Sequence, residues 1–331
     1  MNIQKLIDEI IKTTNSHQID DGKYKRFLKQ NEKGTLKMGN NEYGCADAAN
    51  ILYTLGALER DVYKRSQLIK ALQDFQHVDG LFDEGTHHPI HCTAHCTAAL
   101  ELFDAAPLLP FTALDTYKNE EELLKMLEYL PWVENPWPAA HEGAGIYAAF
   151  ILTKNATTKW QDAYFDWLTS HADPVYGIGL EGAIAAKVRP ISHHLNGWFH
   201  YLFNFVFAHR PIPYAKQAVD TCIDLYKKKT DLVKNFGRSI GFAEIDWVYV
   251  IHRASAQEGY RVEEVKSLLR DFAKGYFEYL FSLDYDNNDS WNDLHLLFGT
   301  TCAIAELQIA LPGEFKTDYP LKLVLDRRPF I

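Results

Sequence analysis

The chain has little to offer a membrane, a nucleic acid or an oxidising compartment. Its 331 residues contain five cysteines (Cys45, Cys92, Cys96, Cys222 and Cys302), and no two form a C-x-x-C pair. Scattered and odd in number, they read as small buried hydrophobes of a reduced, cytoplasmic protein rather than as a disulfide framework. Lysine and arginine are scarce, 34 against 44 acids for a net charge of −10, and the longest basic cluster, 227–229, reads as a solvated helix end. That balance excludes nucleic acid and anionic membrane as main partners. No apolar run reaches the roughly 20 residues a spanning helix needs. The opening MNIQKLIDEIIKTTNS is amphipathic and carries acids, unlike the basic and then apolar regions of a signal peptide. Alternating β-branched runs are scarce too, so strands are not expected.

What is present is helix, and it repeats. Apolar residues recur at helical spacing almost throughout, and at 47% of the chain they are ample for a buried core. Six segments share one shape, a polar opening followed by a helix rich in small residues. They are CADAANILYTLGAL from Cys45, HCTAHCTAALELF from His91, HEGAGIYAAFILT from His141, HLNGWFHYLFNFVFAH from His194, EIDWVYVIHRASAQ from Glu244 and DLHLLFGTTCAIAELQ from Asp293. Successive intervals are 46, 50, 53, 50 and 49 residues, the regularity of a repeat architecture. A more charged, amphipathic stretch precedes each segment, at 2–14, 63–76, 119–130, 159–170, 214–229 and 262–281. Six helical hairpins follow from this pattern. Small residues such as Ala48, Ala49, Ala94, Ala98, Ala99, Gly145, Ala148 and Ala149 let the inner helices crowd together, and the amphipathic partners shield them. Closed on itself, the array is an (α/α)6 toroid: all-α, a single domain over residues 1–331, without the capping repeats an open solenoid needs.

A ring of hairpins gathers the N-termini of its inner helices at one mouth. Here those ends carry Asp47, His91 and His95, His141 and Glu142, His193, His194 and Asn196, Glu244 and Asp246, then Asn292, Asp293 and His295. Six positive helix ends favour anionic groups nearby. Taken singly, Asp47 and Asp293 read equally well as helix caps, and it is the coincidence of six polar starts that points to a site. Loops rich in Pro, Gly and Trp precede inner helices two to five and form its walls, with His87 and His88 among them. Trp132, Trp137 and Trp247 offer faces for a sugar ring or an isoprenoid, whereas Trp160 and Trp167 read as packing.

The stretch LQDFQHVDGLFDEGTHHPIHCTAHCTAALELF resembles a repeat of the terpenoid cyclase and protein prenyltransferase toroid superfamily. In that repeat an outer helix ends in Gln, an x-D-G-aromatic turn follows, and an inner helix opens with His or Asp before small residues. Gln76, Asp79, Gly80 and Phe82 fit that turn. The resemblance covers one repeat of six and implies the toroid fold. Its chemistry carries over poorly. The Asp-rich protonating motif is missing, and DYDNND from Asp284 reads as a turn. Where prenyltransferases place an Asp-x-Cys zinc pair and a His, this chain has Glu244, Asp246 and His295 without the cysteine, a set suited to a harder metal. The polar mouth is similar in kind to that of (α/α)6 carbohydrate-active enzymes, with no fingerprint of any one family.

A terpenoid cavity is aromatic and apolar around one acid, and this mouth is more polar than that. The leading expectation is therefore a carbohydrate-active enzyme, a glycoside or unsaturated-uronide hydrolase working through paired carboxylates. Asp246 in EIDW and Glu142 in AHEGAG form the pair, with Asp293 as the substitute. A separation of roughly 5 Å implies retention, and about 6.5–9.5 Å implies inversion. Substrate binding falls to Asp47, His91, His95, Trp137, His141, His194, Glu244, Trp247 and His295. In an epimerase or lyase, His194 or His141 is the base, and Arg189 or Arg238 holds a substrate carboxylate. A terpenoid or prenyl-type enzyme and a non-catalytic glycan-binding toroid are the remaining readings. The leading chemistry needs no cofactor. A metal has two candidate places, His91 and His95 at i,i+4 spacing with His88 upstream, or Glu244, Asp246 and His295. The expected partner is a small-molecule or oligosaccharide substrate, and the sequence sets no oligomeric state.

Overall fold

Two kinds of helix alternate along the chain, and they bury differently. The computed structural model describes residues 1–59 and 61–331. The first helix of each pair is amphipathic: α1 (Gln4–Ser16), α3 (Val62–Gln73), α5 (Glu120–Tyr129), α7 (Thr158–His171), α9 (Ala215–Lys228) and α11 (Val262–Phe281). In α9, for example, Ala215, Ala218, Val219, Cys222, Ile223 and Tyr226 are buried at one-face spacing. The second of each pair is buried nearly all round: α2 (Glu42–Thr54), α4 (Pro89–Glu101), α6 (Pro136–Leu152), α8 (Ile191–Phe207), α10 (Ala243–Glu258) and α12 (Leu294–Ala310). Every residue of α8 from His194 to Phe205 is buried, as an inner-wall helix requires. Around this wall α2 packs on α4, α4 on α6, α6 on α8, α8 on α10, α10 on α12, and α12 returns to α2. The ring is closed, and the chain is an all-α (α/α)6 toroid. Among the described residues the one sheet is a two-stranded hairpin, β1 (Gln18–Asp20) with β2 (Lys23–Tyr24).

Small residues set how closely neighbouring wall helices approach. A Cβ at Gly197 of α8 would lie 2.6 Å from the Pro136 carbonyl oxygen at the start of α6. Polar clips tie the outer layer to this wall. Tyr164 of α7 donates to the Gly143 carbonyl on α6 (3.0 Å) and accepts from Asn204 of α8 (2.9 Å). The turn after α3 is built the same way. Gln76 donates to the Gly80 and Leu109 carbonyls (2.8 Å each) and accepts the amides of Leu108 and Leu109. Gly80 sits at φ +92 against the Pro110 carbonyl, where a side chain has no room. Among the described residues no helix is long and apolar enough to cross a membrane.

The segment 321–331 is not anticipated by the repeat. Its short 3₁₀ turn, Val324–Asp326, touches both α2 and α8, on different sides of the ring. From there Arg328, Phe330 and Ile331 run buried into the interior. The Arg328 guanidinium contacts the Asn50 side-chain oxygen on α2, and the Phe330 ring packs on His91 and Phe203 at centroid distances of 4.9 and 5.9 Å.

Candidate functional site

The mouth formed by the N-terminal ends of the inner helices opens on a cavity of about 330 Å³, large enough for a small polar ligand. Arg26, His87, His91, His141, His200 and His295 supply its polar lining, and Trp137, Phe242, Leu296 and Ile331 its apolar walls. The polar set comes from loops and the first two turns of inner helices, with His200 deeper along α8.

Three of these histidines form a triangle. The ring centroids of His87, His91 and His141 lie 4.3 to 4.5 Å apart, and one nitrogen from each falls within 4.8 Å of the other two. His91 and His141 reach this point from the first turn of α4 and the second turn of α6, which are adjacent in the ring, and His87 from the loop ahead of α4. The Tyr43 hydroxyl of α2 contacts Nδ1 of His91. Nδ1 of His141 is buried and has no hydrogen-bond partner among the described residues. Burial, and then repulsion from neighbouring imidazoles, pushes His91 and His141 well below the ordinary histidine value and His87 down to about 3. The rings are therefore neutral near pH 7.

Beside the triangle lies a hydrogen-bonded network around Asp47 of α2. Its Oδ1 faces Nε2 of His95 (2.9 Å) and Nδ1 of His295 (3.2 Å). Burial opposes ionisation of Asp47, but the two imidazoles outweigh it and hold the carboxyl below the usual carboxylate range. A carboxylate only accepts, so both facing nitrogens carry protons. His295 thus keeps Nε2 as its free acceptor, and the ring borders the cavity. His200 is held in the same tautomer, because its Nδ1 donates to the Asn196 carbonyl (2.9 Å); burial draws its pKa down to about 4. Arg26, at the rim, is held by Asp293 in a fork of 2.8 and 3.0 Å.

Of the residues singled out by sequence, His91, Trp137, His141 and His295 line the cavity, with Asp47 and His95 directly behind it. His91 and His95 do not work as an i,i+4 pair: their ring centroids are 6.3 Å apart and each belongs to a different cluster. The proposed carboxylate pair is not brought together at the cavity. Asp246 is fully buried on α10, with no partner for either oxygen among the described residues, and burial and then Glu244 drive its pKa well up. Glu244 accepts from the Gly237 amide (2.9 Å) and the Ser239 hydroxyl (2.6 Å). Glu142 sits 3.5 Å from His88. Asp293 serves as the α12 cap, accepting from the His295 amide (3.0 Å), and as the Arg26 partner. Trp247 packs on Tyr226 and Phe272 and donates to the Cys222 carbonyl, away from the cavity. His194 lies against Gly179, Arg238 is exposed, and Arg189 donates to the Glu134 carbonyl. Sequence reasoning passed over Arg26, Tyr43, His200 and Phe242. Tyr43 and His200 lie on inner helices, four residues before Asp47 and four after Asn196, spacings that a helical wheel would have flagged.

No family model, curated protein or solved structure matches the chain. Fold and site geometry therefore carry the functional reading.

Proposed function

We propose that this toroid is an enzyme that moves a proton on a carbohydrate, as a sugar epimerase or lyase does, inside the histidine-lined mouth. One observation carries the reading: two histidines on the same cavity, His295 and His200, each have Nδ1 tied to an acceptor and Nε2 left free. A carboxylate or carbonyl that fixes the tautomer of an imidazole is what prepares it as a general base or acid. The Asp47 carboxylate also stabilises the imidazolium that His295 becomes after taking a proton. Trp137 gives a flat apolar wall for the face of a sugar ring, and about 330 Å³ suits a monosaccharide or the terminal unit of a short oligosaccharide. Hydrolysis by paired carboxylates is less well supported, because Asp246, Glu142 and Asp293 are engaged or buried elsewhere. The Gln76, Asp79, Gly80 and Phe82 turn keeps the resemblance to the terpenoid cyclase repeat as a likeness of scaffold. Five buried cysteines without disulfides support a reduced, cytoplasmic setting.

Incubation of the protein in D2O with a panel of aldoses, N-acylhexosamines and hexuronate oligomers, read by proton NMR, tests the proposal. Deuterium is expected at one sugar carbon, with the rate falling at least about 100-fold in His295→Ala. Release of aryl alcohol from aryl glycosides without any exchange would instead establish a hydrolase. Silence on both, with saturable glycan binding, would make the toroid a lectin.

A further inference from the structure

We infer that His87, His91 and His141 bind one divalent transition-metal ion, Zn2+ foremost, with a coordination position left open to the cavity. Three imidazoles in a triangle of 4.3 to 4.5 Å, each offering a nitrogen within 4.8 Å of the others, need only small ring rotations to meet an ion at about 2.0–2.1 Å. The ligands come from two adjacent wall helices and the loop ahead of one of them, so the scaffold spaces them before any ion arrives. The buried, unpartnered Nδ1 of His141 marks a polar atom in want of a partner. The contact between Tyr43 Oη and His91 Nδ1 is the kind of outer support that orients a ligating ring and leaves Nε2 for the metal. At His87 the amide of His88 lies 2.9 Å from Nδ1, a local contact that coordination through Nε2 replaces, since the ring then carries its proton on Nδ1.

The second cluster, Asp47, His95 and His295, is also compact, but its facing ring nitrogens already donate to Asp47. An ion there would have to break both bonds, whereas no such bonds link the rings of the triangle. Because His87, His91 and His141 all border the cavity, the fourth position falls where a ligand sits, and it would take water or a hydroxyl, carbonyl or carboxylate oxygen. Imidazole ligands select zinc, iron, nickel or copper over magnesium or calcium. The site does not depend on the proton-transfer reading, whose bases are His200 and His295.

The test uses the full chain without an affinity tag, treated with EDTA and then titrated with Zn2+ against a chromophoric chelator and with Co2+ by visible absorbance. One equivalent is expected to bind, with the intense Co2+ bands of a four-coordinate site. His87→Ala and His141→Ala should each weaken Zn2+ by at least about 100-fold, beyond what loss of an outer-shell group does, and Asp47→Asn should still bind one equivalent. His87 is on a loop and only partly buried, so its variant keeps the fold, as a thermal melt will verify. Absence of micromolar Zn2+ binding by the wild type would overturn the proposal. So would stoichiometric binding that survives both histidine variants and disappears in Asp47→Asn. Metal binding without deuterium exchange leaves this site standing and removes the proton-transfer reading; exchange without metal does the reverse.

Discussion

At the scale of single residues, this ring hides titratable groups that pull stability in opposite directions with pH. His17 is fully buried, donates from Nδ1 to the Lys25 carbonyl (2.9 Å), and has no partner for Nε2 among the described residues. Burial lowers its pKa from 6.5 to about 4. The unfolded chain thus takes up a proton below pH 6.5 that the folded chain refuses until about pH 4. Stability is lost as pH falls through that window, by up to about 3 kcal/mol. His17→Asn keeps an amide donor and does not titrate, so its urea stability should fall less steeply than that of the wild type between pH 6.5 and 4. Parallel curves would refute the assignment. Glu244 works the other way. Burial raises it from 4.5 to about 7, so the folded chain holds a proton there that the unfolded chain has released. Its contribution is complete below pH 4.5 and disappears as pH rises through about 7. Glu244→Gln retains the oxygen that accepts from Gly237 and Ser239, and should be more stable than the wild type at pH 8 by about 1–3 kcal/mol. At pH 4 the gain should vanish, and a gain of equal size there would mean that packing, not ionisation, is responsible.

Among elements, the inner helices were the most legible in sequence, because their function in the fold is written in composition. Small residues recur at each wall helix, and the fifty-residue spacing gives the hairpin count; α11 falls at 262–281 as periodicity predicts, and the other outer helices within about three residues. The contents of the mouth were harder to read. Matching positions at helix starts do not point the same way: Glu244 turns to the 237–239 loop, while His295 turns to Asp47 across the α12–α2 seam, 248 residues distant in the chain. Asp47 read equally well as a helix cap or as a site residue; Asn41 caps α2 by accepting from the Gly44 amide (2.7 Å), and this frees Asp47, further along the helix, for the lumen. Close approach of wall helices also has a direct test. At Gly197, Ala must push the Pro136 carbonyl away from a 2.6 Å contact, at a cost of about 1–3 kcal/mol. Gly275, on the outer helix α11, has nothing near a new Cβ, so Gly275→Ala should gain up to about 1 kcal/mol from helix propensity. Chemical denaturation of the two variants should therefore show opposite signs, and a stabilised Gly197→Ala would show that the α6–α8 seam has slack.

For the molecule as a whole, closing six hairpins into a ring leaves an axial space that the wall helices alone do not fill, and this chain fills it with its own segment 321–331. Nothing in the repeat forecasts that, because the segment belongs to no hairpin and its apolar residues, LKLVLDRRPFI, carry no helical period. Packing shows how it holds. Leu323, Val324, Leu325, Phe330 and Ile331 are all buried, and Arg327 reaches Glu101, the last residue of α4, and Asp104 just beyond it. Phe330 is the innermost contact, with its ring 4.9 Å from His91, 6.5 Å from His200 and 5.9 Å from Phe203. It joins the segment to α4 and α8, next to Ile331, which lines the histidine cavity. Truncating it removes about one aromatic side chain of buried surface and leaves a void that rigid wall helices cannot collapse into, so Phe330→Ala should cost about 3–5 kcal/mol in urea unfolding. The m-value should stay unchanged if the ring still unfolds as one unit. The same variant opens space behind Ile331 and removes a ring that packs on His91, one of the three proposed ligands, so Zn2+ affinity should fall by less than the roughly 100-fold expected of His87→Ala, as loss of an outer support does, while the preferred ligand becomes longer. A Phe330→Ala protein with wild-type stability would mean that the segment lies loosely in the ring.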